Sequence, residues 1–310
     1  MYYPFLRAKQ YELKALREFA EANPSQQVIT PIIEPVKQDT RPLDIAMTDL
    51  MNYGCKFALV LNPQNGDFKH STVSFESWKS LIEAEKEWIP AFIYSKDEGE
   101  RILETIAQND FTNVMIIFVS CLDLDDPNIG NIINNQNVHY IVNNFGSSLR
   151  RLKRRLIDTG REIISLNSSF NTKNKNADYA QNVDEFFTDE PFFYKDDGLS
   201  GFSDYTTLPS EYIEGGMMPY ALAIHLTYKK TDDSIFVHHF VSDSNFTAEN
   251  IRGKFKEAAD KVVAFYQNKD SVTSAVKDLI EKAYTPDGYP GLGYLKKLSI
   301  LNHLELIKSL

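Results

Sequence analysis

Short apolar runs alternate with amphipathic stretches along the first two hundred positions. The runs at 2–6, 28–33, 56–61, 89–94, 114–119, 139–142, 162–166 and 198–205 read as strands. After Lys56 the third run is continuously apolar to Leu61, the mark of a strand covered on both faces. Between the runs, apolar residues recur at helical spacing. Leu13, Leu16, Phe19 and Ala20 predict a helix over 10–22, stopped by Pro24. Further helices are expected at 41–52, closed by Gly54, and at 75–88, 98–108, 126–135 and 147–157. A long polar connection at 167–176 and a helix at 178–187 precede the last run. Eight such strand–helix units predict right-handed crossovers and closure into an α/β fold of the (β/α)8 TIM-type barrel class. An open doubly wound sheet is the alternative, but no Gly-rich phosphate loop follows an early strand.

After the eighth run the rhythm breaks. Residues 220–228 and 235–241 predict a β-hairpin, inserted at 219–242, with Lys230-Thr231-Asp232-Asp233 able to turn. A two-residue turn at Thr231-Asp232 sets His225 opposite His238. Thr247 suits the N-cap of a helix running to 268, the displaced eighth barrel helix. Two more helices, 272–283 and 292–307, flank Pro286-Asp287-Gly288. The expected division is therefore a barrel over 1–268, hairpin included, and a C-terminal helical extension over 269–310 packed on it. Leu295, Leu298, Ile300, Leu301, Leu304 and Ile307 form a stripe on the last helix. It suits packing on the preceding helix, or a surface for a partner chain.

A formal charge of −10 argues against general nucleic-acid binding, which Lys and Arg drive. The basic run Arg150-Arg151-Leu152-Lys153-Arg154-Arg155 is the exception, and its leucine spacing turns the cations outward. Cys55 and Cys121 both border apolar runs, so free buried thiols in a reducing cytoplasm are expected. No run approaches the ~18 apolar residues of a membrane span, and the N-terminus lacks the pattern of a secretory leader.

The working face of such a barrel lies at the carboxyl ends of its strands. Those ends deliver Arg7 and Lys9, Glu34 and Lys37, Asn62, Asn143, Ser168, and Asp204 with Tyr205. Strands one, two and eight are neighbours in a closed barrel, which would bring Arg7, Glu34 and Asp204 together. A carboxylate pair beside a guanidinium could serve as general acid and base, or equally as an ion pair closing the barrel. The loop Ser168–Lys175, with Lys173, has donors suited to a phosphate, although a surface loop explains it as well. The metal-ligating candidates are His225 and His238, against an ordinary stacked pair. No cofactor is indicated.

Tyr2-x-Pro4-Phe5-Leu6-Arg7-x-Lys9-x-x-Glu12-Leu13-x-Ala15-Leu16 resembles the opening of the phage beta-protein-like family. Pro31-Ile32-Ile33-Glu34 is similar to its second strand, and Gly201-Phe202-Ser203-Asp204-Tyr205 to its late Gly-x-x-Asp-Tyr element, with Ser203 where Gly is more usual. The resemblance implies a protein of phage and bacterial mobile or defence-type loci, often encoded beside a second small gene. It marks Arg7, Lys9, Glu34, Asp204 and Tyr205 as family positions and assigns no reaction. The combined expectation is a cytoplasmic barrel of a phage-conflict module, binding a small polar or phosphate-bearing ligand such as a nucleotide at its mouth. Should it be an enzyme, acid–base hydrolysis or phosphoester chemistry is expected, with Glu34 or Asp204 as base and Tyr205 orienting the ligand. Arg7, Lys9, Lys37, Asn62, Asn143, Ser168 and Lys173 would bind it. The rival expectation is a non-catalytic protein that docks a partner, such as the adjacent gene's product, through its C-terminal helices.

Overall fold

The computed structural model describes residues 1–69, 88–119, 125–144, 149–156, 159–215, 219–269 and 272–310. Two compact units emerge. One comprises Met1–Lys9, Ala20–Asn167 and Phe193–Tyr205; the other comprises Gln10–Phe19, Ser168–Phe192 and Thr206–Leu310.

The first unit is built on eight parallel strands. They are β1 (Phe5–Leu6), β2 (Ile32–Ile33), β3 (Phe57–Val60), β4 (Trp88–Ile93), β5 (Val114–Phe118), β6 (Val138–Asn143), β7 (Glu162–Asn167) and β9 (Gly201–Asp204), paired in that order. Tyr2 bridges both Ile29 and Phe202. Tyr3 N–H donates to Phe202 O at 2.9 Å, and Phe202 N–H to Met1 O at 3.1 Å. These contacts join the first strand to the last, and the sheet is the expected (β/α)8 TIM-type barrel.

Its interior holds Tyr3, Phe5, Ile32, Ala58, Val60, Ala91, Ile93, Met115, Ile117, Val142, Ile164, Leu166 and Tyr205, alternate residues of each strand, as a two-residue period requires. Helices α2 (Arg41–Asn52), α3 (Gly99–Gln108) and α4 (Pro127–Asn134) each bury one apolar face, such as Leu43, Ala46, Met47 and Leu50 on α2. In α5 (Leu149–Leu156), Leu152 and Leu156 are buried while Arg150, Arg151, Arg154 and Arg155 are exposed, as the leucine spacing requires. Gly54 takes the left-handed conformation (φ 62°) expected of it after α2. The helix expected at 75–88 lies outside the described residues but for Trp88, which opens β4.

The second unit takes most of α1 (Gln10–Ala22) and a three-stranded antiparallel sheet. That sheet orders β10 (Ala223–Lys229), β11 (Ile235–Val241) and β8 (Asp184–Thr188). Helices α7 (Ile251–Tyr266), α8 (Ser274–Tyr284) and α9 (Leu292–Lys308) complete it; α6 (Glu190–Phe193) is a single turn. Helix α9 packs on β10 and α8, so its leucine stripe is consumed within the chain. Burial extends around the helix to Lys297, Asn302 and His303. Each of these has a partner: Lys297 Nζ reaches both Glu18 oxygens at 2.7 Å, Asn302 donates to Thr227 O at 2.9 Å, and His303 Nδ1 lies 3.0 Å from Thr227 Oγ1.

Three expectations are corrected. Residues 178–187 do not form a helix: a 3-10 turn at Asn176–Gln181 leads into β8, where Glu185 and Phe187 are buried and Phe186 is exposed. That alternation is strand periodicity, satisfied by pairing with β11. The hairpin loop has three residues rather than two. Lys230 N–H donates to Ser234 O at 2.8 Å, and Asp233 takes a left-handed conformation (φ 52°), the geometry of a three-residue loop. Asn250, not Thr247, caps α7, accepting from Gly253 N–H at 3.1 Å. The hairpin and α7 group with the C-terminal helices in the second compact unit.

At the seam, an added Cβ on Gly201 would lie 2.7 Å from the Tyr3 ring and 2.8 Å from Met1 O. Gly201→Ala should therefore destabilise the protein by about 1–3 kcal/mol, the usual cost of overpacking. Urea unfolding measures this; an unchanged midpoint would show that the seam is slack.

Candidate functional site

At the barrel mouth, neighbouring side chains of one strand point to opposite faces. Phe5 and Ile32 lie inside, so Arg7 and Glu34, two positions further on, continue the inner face. Arg7 Nε sits 3.8 Å from Glu34 Oε2, and its guanidinium lies 4.8 Å from the centre of the Tyr205 ring. Glu34 Oε1 accepts the Gln64 backbone N–H at 2.8 Å and the Asn65 amide at 3.0 Å. Asn62 extends the β3–β4 pairing, exchanging two 2.8 Å hydrogen bonds with the Ile93 backbone, and donates to Glu98 at 2.9 Å. The loop after β3 is fastened over the one after β2. Asp67 N–H donates to Val36 O, and Gln38 N–H to Asp67 Oδ2, each at 3.0 Å, with Lys37 3.5 Å from Asp67.

Arg7, Glu34 and Tyr205 thus meet, but under cover: they are 8%, 0% and 7% exposed. Burial pushes the Glu34 carboxyl above its ordinary value, and the hydrogen bonds from Gln64 and Asn65 and the Arg7 charge offset this only in part. The arrangement is a clamp on two loops.

Asp204 does not join them. Tyr205 is inside, so Asp204 faces outward with Tyr2 and Phe202, whose rings stack 4.9 Å apart. Its Oδ1 accepts the Tyr2 hydroxyl at 2.6 Å. Strand periodicity therefore overturns the expected convergence of Arg7, Glu34 and Asp204. Asn143 is misplaced for the same reason. Val142 lies inside, so Asn143 faces away from the interior, its amide atoms buried without a hydrogen-bond partner among the described residues. Lys9 stands at the N-cap position of α1.

The second unit holds an open cavity of about 370 Å³. Phe170, Tyr179, Pro209 and Leu295 give it apolar walls; Lys173, Lys296, His225, Thr172, Asn176 and Ser299 add polar ones. Among the described residues no Asp or Glu lines it. Leu292 and Gly293 bring in the first turn of α9, whose N-terminus has no side-chain cap. Ser168 is exposed and lies outside this lining.

Behind the cavity wall the three-residue hairpin loop shifts the expected register, setting His225 opposite His239 and Leu226 opposite His238. The Nδ1 atoms of His225 and His239 are 2.8 Å apart. His239 Nε2 lies 3.4 Å from Glu185 Oε2, and Glu185 Oε1 is 3.1 Å from Lys173 Nζ. Tyr179 packs on both imidazoles, with centroids 4.6 Å from each. Burial, then His239 and Lys296, pushes His225 well below the usual imidazole value. Burial also lowers His239, against the opposing pull of Glu185. His238 points elsewhere, its Nδ1 3.4 Å from Asp184. The expected His225–His238 metal pair is thus replaced by His225–His239. Among the described residues no group of three or more His, Cys, Asp or Glu is arranged to hold a metal.

Of the residues named from the sequence, Lys173 and His225 line this cavity; His239, Glu185, Tyr179 and Lys296 were not among those named. The period-two alternation of Asp184–Thr188 was the available signal for Glu185. Comparison with protein-family models, curated proteins and solved structures gave no match. No described helix is long and apolar enough to cross a membrane.

Two outcomes follow from the mouth geometry. Tyr2→Phe withdraws a donor from a buried carboxylate and should cost about 1–3 kcal/mol in urea unfolding. For Glu34, the raised folded pKa means that its contribution to stability is complete below the ordinary value of 4.5 and is lost as pH rises through the folded value. Thermal melts of Glu34→Gln between pH 4 and 7 should therefore lack this component of the decline. Identical pH profiles for variant and parent would refute it.

Proposed function

We propose that this protein binds a small anionic ligand, of the phosphate-bearing class and about the size of a mononucleotide, in the cavity of its second unit. The observation that carries this reading is the charge of the lining. In a chain of net charge −10, the wall presents Lys173 and Lys296 and, among the described residues, no carboxylate. The uncapped N-terminus of α9 adds oriented N–H groups and the positive end of a helix dipole. A volume of about 370 Å³ falls within the ~300–1,000 Å³ of small-molecule pockets. The buried rings of Phe170 and Tyr179 form part of the apolar wall.

The barrel mouth is the weaker location, since Glu34 is sealed beneath Gln64 and Asn65. Docking of a partner through the C-terminal helices is also disfavoured, because α9 spends its apolar stripe on β10 and α8. The likeness of three motifs to phage beta-protein-like sequences supports placing this activity in a phage-conflict or mobile-element module. The buried free thiol of Cys55 fits a reducing cytoplasm.

Lys296 is exposed, so its removal should leave the fold intact. Calorimetric titration with inorganic phosphate and with adenosine monophosphate should show binding that Lys296→Ala weakens by roughly tenfold, the loss of one charge-assisted contact. Equal affinity in parent and variant, or no heat with either compound at millimolar concentration, would count against the pocket.

A further inference from the structure

Two imidazole Nδ1 atoms 2.8 Å apart are joined only if one carries hydrogen and the other a lone pair. Glu185 decides which. Its Oε2 lies 3.4 Å from His239 Nε2, and a carboxylate can only accept, so the hydrogen of His239 sits on Nε2. The Nδ1 of His239 is then the acceptor, and His225 must carry its own hydrogen on Nδ1. The Nε2 of His225, on the far edge of the ring, is left as a lone pair. It makes no hydrogen bond to a described residue, and the ring forms part of the cavity wall.

We propose that His225 is the proton acceptor of this cavity, held in its Nδ1–H tautomer by His239 and Glu185, and that it deprotonates a water or hydroxyl beside the bound anion. The idea rests on the cavity being the ligand site. In the step, an O–H bond breaks with its electron pair staying on oxygen, and an N–H bond forms at His225 Nε2. The Nδ1 hydrogen of His225 can then cross to His239 Nδ1, which carries the positive charge toward the Glu185 carboxylate. Burial first, then His239 and Lys296, disfavours a cation on His225, which favours that transfer. Lys173 pairs with the other Glu185 oxygen at 3.1 Å, and Asn182 donates to that same oxygen at 3.1 Å. Both keep the carboxylate in place. His239 and Glu185 act as positioning residues. A merely stacked pair of core histidines would need no fixed tautomer.

The tautomers can be read directly. In the full chain labelled with 15N-histidine, long-range proton–nitrogen correlation at pH 7 should give His225 a protonated Nδ1 and a bare Nε2, and His239 the reverse. His225→Gln and His239→Gln assign the signals. Inorganic phosphate should shift the His225 Nε2 resonance, and Glu185→Gln should release His225 into a mixture of both tautomers. Hydrogen on His225 Nε2 in the parent protein overturns the proposal. Phosphate that moves no histidine signal and produces no heat defeats the cavity as an anion site, whatever the tautomers show, so the two failures are separable.

Discussion

Closure of a parallel ring demands that its first and last strands meet, although they share no local connection. Here the meeting is narrow. Tyr2 supplies the bridge to Phe202, while the backbones of Met1, Tyr3 and Phe202 supply the hydrogen bonds. Gly201 allows the approach because a side chain there would strike Tyr3 and Met1. On the outer side of the same strands the Tyr2 hydroxyl meets Asp204. Asp204 therefore serves the architecture at the position where a reading of strand ends alone would place a reactive group.

Period two governs both halves of the functional picture. In the barrel it separates Asp204 from Tyr205 and turns Asn143 away from the interior. In the three-stranded sheet it puts His239 beside His225 and sends its neighbour His238 to Asp184. A polar residue at a strand end is thus half a prediction. The other half is parity, which only an anchored register supplies.

Much of the barrel was legible because its strands are covered on both faces and its helices on one, so burial writes itself into composition. Eight runs, the outward cations of Arg150–Arg155 and the left-handed Gly54 could all be read that way. Residues 184–188 were harder, since Asp184-Glu185-Phe186-Phe187-Thr188 is too short for its alternation to outweigh the helical reading of the residues before it. The hairpin register hung on one backbone torsion at Asp233, a non-glycine residue whose left-handed conformation composition does not announce. The cavity draws Lys173, His225 and Lys296 from stretches more than fifty residues apart, a convergence created by tertiary packing. No spacing rule reaches that far.

The three-residue loop at the tip of the hairpin has a consequence of its own. Exposed tips ordinarily tolerate insertion and deletion, because little backbone there is buried. This one sets the phase of everything behind it. Losing a single residue between Lys230 and Ser234 would slide one strand past the other and break the line from His225 to Glu185, while leaving every cavity residue present in the sequence. Among related chains, the length of that loop should therefore be as diagnostic of a working proton path as the histidines themselves.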